Sequence, residues 1–75
     1  MNAYTYTYTY TANGISLDIN PPGNGDAKII AALGLVEGDS VTCDHAGYRT
    51  EYTVERNRYR RERALTLAAK NKYRI

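Results

Sequence analysis

Seventy-five residues make a single small domain, 1–75, whose core is thin, because a chain this short buries only about 60% of its unfolded surface. Apolar residues are 43% of the chain and charged residues 24%, which places it in the globular class, and one cysteine, Cys43, excludes an intrachain disulfide framework. The net charge of +2 hides a segregation: residues 1–48 set Lys28 against five acids for a net −4, and residues 49–75 set nine basic groups against three acids for a net +6.

The first element is an alternation, Tyr4-Thr-Tyr-Thr-Tyr-Thr-Tyr10-Thr11, of two strand-favouring residue types with period two. Asn13-Gly14 then marks a two-residue hairpin turn, because a type I′ turn needs φ > 0 at both central positions. That turn fixes the register. Ala12 opposes Ile15, Tyr10 opposes Leu17 and Tyr8 opposes Ile19. On the other face Thr11 meets Ser16, Thr9 meets Asp18 and Thr7 meets Asn20. One face is apolar and the other polar, so a slip by one residue is excluded. The stretch Asn20 to Gly25 is a loop, rich in proline and glycine. Its Gly23-Asn24-Gly25 lacks the further glycines or the Lys-Ser/Thr ending of a phosphate loop.

Asp26 is predicted to cap a short helix from Ala27 to Leu33, with Ile29, Ile30 and Leu33 on one face and Gly34 as its C-terminal stop. Two turns are too few to be stable alone, so this helix must lean on the sheet. Val36 to Asp39 forms a turn into a strand from Val41 to Asp44, and His45 to Gly47 turns again. From Tyr48 to Glu55, Tyr48, Thr50, Tyr52 and Val54 alternate with Arg49, Glu51, Thr53 and Glu55, as in a half-buried antiparallel strand. Arg56 to Arg58 reads as a further turn. Tyr59 to Ala69 carries both strand and helix signals, and the strand reading is preferred. Lys70 to Lys72 is expected to turn toward a short end at Tyr73 to Ile75. The fold class is therefore α+β and mostly antiparallel β: an N-terminal β-hairpin, one short helix, then a β-hairpin or three-stranded meander.

Ala31-Ala-Leu-Gly-Leu-Val-Glu-Gly-Asp-Ser-Val41, with the two strands that follow through Val54, resembles the second half of AbrB-like swapped-hairpin domains, which include antitoxins of the MazE kind. The likeness spans residues 27–54. It implies a helix ending in Leu-Gly-Leu, a Gly-Asp turn and a closing hairpin, within a dimer. That family runs a basic strand into its helix and binds DNA through arginines near it. Here the strand Ile15 to Ile19 carries Asp18 and a Pro-Pro-Gly-Asn-Gly loop intervenes. The resemblance carries over fold and dimer habit, and no binding residue.

Catalysis and metal binding find little support. Cys43 and His45 point the same way on a strand, but zinc needs three or four ligands and the chain has no other Cys or His. A nucleophilic pair would need mutual reach and a third orienting group, which residues two apart on one strand seldom provide. The aspartates sit where turns and caps account for them. No enzyme activity, cofactor or metal is expected.

The basic third is the positive signal. Arg56, Arg58, Arg60, Arg61 and Arg63 crowd into eight residues around Tyr59, with Arg49, Lys70 and Lys72 nearby. Arginine suits phosphate by its fork geometry. On a strand Arg56, Arg58 and Arg60 would share a face, and on a helix Arg56, Arg60 and Arg63 would share a stripe. Either can track a nucleic-acid backbone. Tyr48, Tyr52 and Tyr59 can stack on bases if exposed, although tyrosines on the apolar face of a strand are more commonly core. The expected function is a non-enzymatic module contacting nucleic acid through these residues. The alternative is a protein partner, as for a small virus-encoded inhibitor of the anti-CRISPR kind or an antitoxin, bound by the Arg/Tyr surface or a sheet edge. A thin core without disulfides favours a homodimer. Met1 to Thr11 has no secretory pattern and no run nears the length of a membrane span, so a cytoplasmic location is expected.

Overall fold

The computed structural model describes residues 7–19, 25–59 and 63–75. Strands β1 (Tyr8–Ala12) and β2 (Ile15–Ile19) precede helix α1 (Asp26–Leu33), and strands β3 (Ser40–His45), β4 (Tyr48–Arg56) and β5 (Leu65–Arg74) follow it. All five strands form one antiparallel sheet in the order β2-β1-β3-β4-β5. The N-terminal hairpin is thus built into the same sheet as the later strands, through pairing of Thr9, Tyr10 and Thr11 with Asp44, Cys43 and Thr42.

The first hairpin has the register its turn dictates. Asn13 and Gly14 lie at φ 53° and 77°, and the pairs from Ala12–Ile15 to Tyr8–Ile19 are all in place. Thr9 Oγ1 donates to Asp18 Oδ1 at 2.9 Å, and the Thr11 and Ser16 hydroxyls lie 3.1 Å apart, so the polar face is stitched side chain to side chain. The expected Thr7–Asn20 pair, the start of the Tyr-Thr repeat before Thr7 and most of the proline loop fall outside the described residues.

One sequence expectation is corrected at the helix. Its N-cap is Gly25, extended at φ −77°, and no side chain caps the terminus. Asp26 is instead the first helical residue, and its Oδ2 accepts the backbone N–H of Leu67 on β5 at 2.9 Å. An outer-strand donor without a ladder partner has recruited the carboxylate across 41 positions of sequence. At the other end Gly34 takes the left-handed conformation at φ 63°, and the Leu35 N–H donates to the Ile30 carbonyl at 2.9 Å, closing the helix as expected.

The helix packs against both outer strands, β2 and β5. In a flat sheet those strands would stand about 19 Å apart, four inter-strand spacings. A helix is only about 10–12 Å wide. The sheet therefore curls around α1. Ile29, Ile30 and Leu33 of the helix meet Ala12, Leu35, Val41 and Val54 in one cluster, with Tyr10, Leu17, Ile19, Tyr52, Leu65 and Leu67 half-buried at its margin.

The second correction concerns the C-terminal strand. Residues 65–74 form one long strand, and Lys70 to Lys72 is no turn. Tyr52 pairs with Ala69 and Glu51 with Asn71, which leaves Lys70 as an extra residue in β5, a β-bulge. Polar Lys-Asn-Lys reads as a break, but long-range pairing to β4 holds it extended. Of the stretch Tyr59 to Ala69, the preferred strand is present from Leu65 onward, and among the described residues Asn57, Arg58, Tyr59, Arg63 and Ala64 lie outside any strand or helix. They connect β4 to β5, closed by the Asn57 N–H donating to the Ala64 carbonyl at 2.8 Å.

The turn between β3 and β4 is Ala46-Gly47, at φ 52° and 83°. Alanine is a poor residue for a left-handed position, and asparagine a tolerated one. Ala46→Asn is expected to stabilise the domain by about 1 kcal/mol, a rise of about 4–8 °C in Tm at this size. A thermal melt showing an unchanged or lower Tm would refute it.

Candidate nucleic-acid interface

Side chains alternate across each strand, so the cross-strand pairs sort the sheet into two faces. The core-side face carries Tyr8, Tyr10, Val41, Cys43, His45, Tyr48, Tyr52 and Val54. The outer face carries Thr9, Asp18, Asp44, Arg49, Glu51 and Glu55. The basic residues of the C-terminal third divide among three places.

Arg49 and Lys70 are engaged on the outer face. Arg49 Nε and Nη2 donate to the two carboxylate oxygens of Asp44 at 2.7 and 2.9 Å. This fork holds the Asp44 carboxyl below its ordinary range, and the same contact raises the Arg49 guanidinium. Lys70 Nζ lies 2.6 Å from Glu55 Oε2. These two cations are neutralised locally, so they add little to a phosphate-binding surface.

The second group is the connection after β4. Arg56, at the end of that strand, donates through Nη1 to the Arg63 carbonyl at 2.8 Å, and its Nε lies 3.4 Å from Glu37 Oε1. Arg56 thereby ties the two ends of the connection together. Arg56, Arg58 and Arg63 line a cleft of about 250 Å³. Among the described residues neither Arg58 nor Arg63 pairs with a carboxylate. Tyr59 is 100% exposed beside them, its N–H held by Asn57 Oδ1 at 3.0 Å. Arg63 sits at φ 50°, a left-handed position for a non-glycine residue. Arg60 and Arg61 lie outside the described residues.

The third group stands at the opposite end of the β4–β5 pair. Tyr48 and Arg56 are eight residues apart on one strand, about 26 Å. Here Tyr48 pairs with Arg74, and Thr50 with Lys72. Tyr48 is 38% exposed, with Lys72 Nζ 5.4 Å and Arg74 Cζ 5.5 Å from its ring centre. Arg74 Nη2 is 3.4 Å from the Tyr48 hydroxyl. Next to Tyr48, across the Ala46-Gly47 turn, His45 stacks on Tyr8 with centroids 3.7 Å apart and planes 4° from parallel. His45 Nδ1 lies 3.1 Å from the Thr7 carbonyl. Sequence reasoning named Lys72 but not Arg74, and it could not associate either with Tyr48, because the bulge that does so is invisible in the residue pattern.

Cys43 is buried and its thiol is pushed up, first by burial, so it is a poor nucleophile. Among the described residues no three His, Cys, Asp or Glu side chains gather as metal ligands. No helix among them is long and apolar enough to cross a membrane. No protein-family model, curated protein or solved structure matches the chain.

Proposed function

We propose that this domain is a non-enzymatic binding module that contacts nucleic acid through the arginine-rich connection between β4 and β5. The observation that carries the reading is the cleft of Arg56, Arg58 and Arg63, with Tyr59 fully exposed at its side. Arg56 spends its hydrogen bonds on holding the connection closed. Arg58 and Arg63 then present guanidinium groups that no described carboxylate neutralises, in a chain segment whose net charge is +6. Guanidinium forks in that setting suit phosphate oxygens. Arg60 and Arg61 belong to the same segment by sequence and extend the proposed site.

The test is an electrophoretic mobility titration against salt, on duplex DNA, single-stranded DNA and RNA. Each phosphate neutralised should add about 0.7–0.9 to the magnitude of the log-log salt slope. The double variant Arg58→Ala, Arg63→Asn is expected to lower that slope by about 1.4–1.8 and to leave the far-ultraviolet circular dichroism unchanged. Asparagine is chosen at 63 because it accepts the left-handed backbone there. An unchanged slope in the variant would move the site elsewhere.

A protein partner is the second reading, and the outer edge of β2 favours it. Among the described residues no strand pairs with that edge, and Ile15 on it is 52% exposed. An open edge with an apolar side chain is a template for strand addition, by another protein or by a second copy of this chain as a homodimer. The absence of any mobility shift at low salt would select this reading. The mass in solution would then separate the two occupants.

A further inference from the structure

A β-bulge changes which way every later residue of its strand points. Without the bulge, with Lys70 paired in regular alternation, the even-numbered residues Lys72 and Arg74 would share the outer face with Thr66 and Ala68. That face also holds Asp44, Glu51 and Glu55. With it, both cations fall on the core-side face, opposite Thr50 and Tyr48. The bulge thus takes the last two cations away from the carboxylates and sets them beside an aromatic ring. Helix α1 covers the other end of this face, against Val41 and Val54. At the end with Tyr48, His45 and Tyr8, neither Lys72 nor Arg74 forms an ion pair with a carboxylate among the described residues, and α1 lies toward the other end.

We infer that this end is a stacking platform for single-stranded nucleic acid, with Tyr48 offering its ring to a base and Lys72 and Arg74 meeting the flanking phosphates. Lys72 and Arg74 are two residues apart on an extended strand, about 7 Å. Both lie close to the Tyr48 ring, at 5.4 and 5.5 Å from its centre. Stacking distinguishes the occupant. An acidic peptide would satisfy the cations but leaves the aromatic surface of Tyr48 and of the His45–Tyr8 pair unused, whereas every nucleobase has a π-face. A duplex hides its bases in the stack, which leaves the single strand. The inference deepens the nucleic-acid reading and rests on it, while placing a second contact about 26 Å from the arginine cleft along β4.

The test is fluorescence anisotropy of a labelled oligothymidylate and of a labelled duplex, with the wild-type chain, Tyr48→Ala, Tyr48→Phe, and the double variant Arg58→Ala, Arg63→Asn. Tyr48→Ala is expected to weaken oligothymidylate binding by about 5- to 150-fold, the range that one base–aromatic stack implies, and to leave duplex binding unchanged. Tyr48→Phe keeps the ring and should bind within a few-fold of wild type. A folded Tyr48→Ala that binds oligothymidylate like wild type overturns the inference. So does an equal loss on the duplex, which would make Tyr48 a general support of the fold. If the arginine variant keeps its duplex affinity while Tyr48→Ala loses the single strand, the reading of the cleft falls and the platform stands. If the wild-type chain binds neither oligonucleotide, both fall.

Discussion

Ile29→Ala is expected to remove about half of the stability of this domain. Ile29 is 2% exposed and lies on the buried face of α1, in the cluster with Val41 and Val54. Truncating a buried isoleucine to alanine typically costs about 2–5 kcal/mol, transfer and cavity together. A domain of this length has roughly 4–11 kcal/mol in all, at the usual stability per residue. The site has little room to relax, because α1 touches the outer strands on both sides and cannot approach one without leaving the other. Urea titration followed by far-ultraviolet circular dichroism should show the midpoint falling by about half. Ile15→Ala is the control. Ile15 is half exposed on β2, and its loss should fall within about 0.5 kcal/mol of wild type. Equal midpoints for wild type and Ile29→Ala would mean that the helix does not hold the sheet in the way described.

The same helix shows which parts of the fold are legible in sequence. Gly34 and Leu35 announce the helix end because a left-handed stop is a local event, decided by the residues at the stop. Asn13-Gly14 fixes a hairpin register for the same reason. Asp26 is misread as a cap because its real partner, the Leu67 N–H, is 41 residues away and no local pattern names it. The bulge at Lys70 is likewise a consequence of pairing with β4. Pairing of β1 with β3 depends on a helix crossing between them, so the single sheet is not foreseeable from two separate hairpin patterns.

The candidate site divides along the same line. Charge segregation between the two halves of the chain is plain in the composition, and the crowding of arginines from Arg56 to Arg63 needs no structure to see. Their partners do need it. Arg49 and Lys70 look like their neighbours in sequence but are spent on Asp44 and Glu55, because strand alternation puts them on the acidic face. Lys72 and Arg74 look like a polar tail but are turned to the aromatic face by one extra residue. A basic third in sequence becomes two separated clusters in space, one at each end of β4.

Alkali should unfold this domain more readily than acid. Tyr10 and Cys43 are cross-strand partners on β1 and β3, and the Tyr52 ring centroid lies 6.4 Å from that of Tyr10. All three groups have raised pKa values. Burial is the largest cause in each, and the mutual proximity of the three groups adds to the rise in both tyrosines. Each is neutral when protonated, so the folded chain holds these protons to higher pH than the unfolded chain does. The unfolded chain gives them up near the ordinary values, about 8.5 for cysteine and 10 for tyrosine. Between those values and the raised ones the folded state binds more protons, and stability falls as pH rises. Their contribution is complete below about pH 8 and is lost progressively above about pH 9. On the acid side, the described group with a lowered value is Asp44, and its fork with Arg49 is partly open to solvent, so its protonation removes little. The urea midpoint should therefore hold between about pH 5 and 8 and drop steeply above about pH 9. Tyr10→Phe removes the most strongly shifted of the three protons and should flatten that drop. A midpoint unchanged to about pH 11, or an identical slope in Tyr10→Phe, would show that these hydroxyls ionise in the folded state as freely as in the unfolded chain.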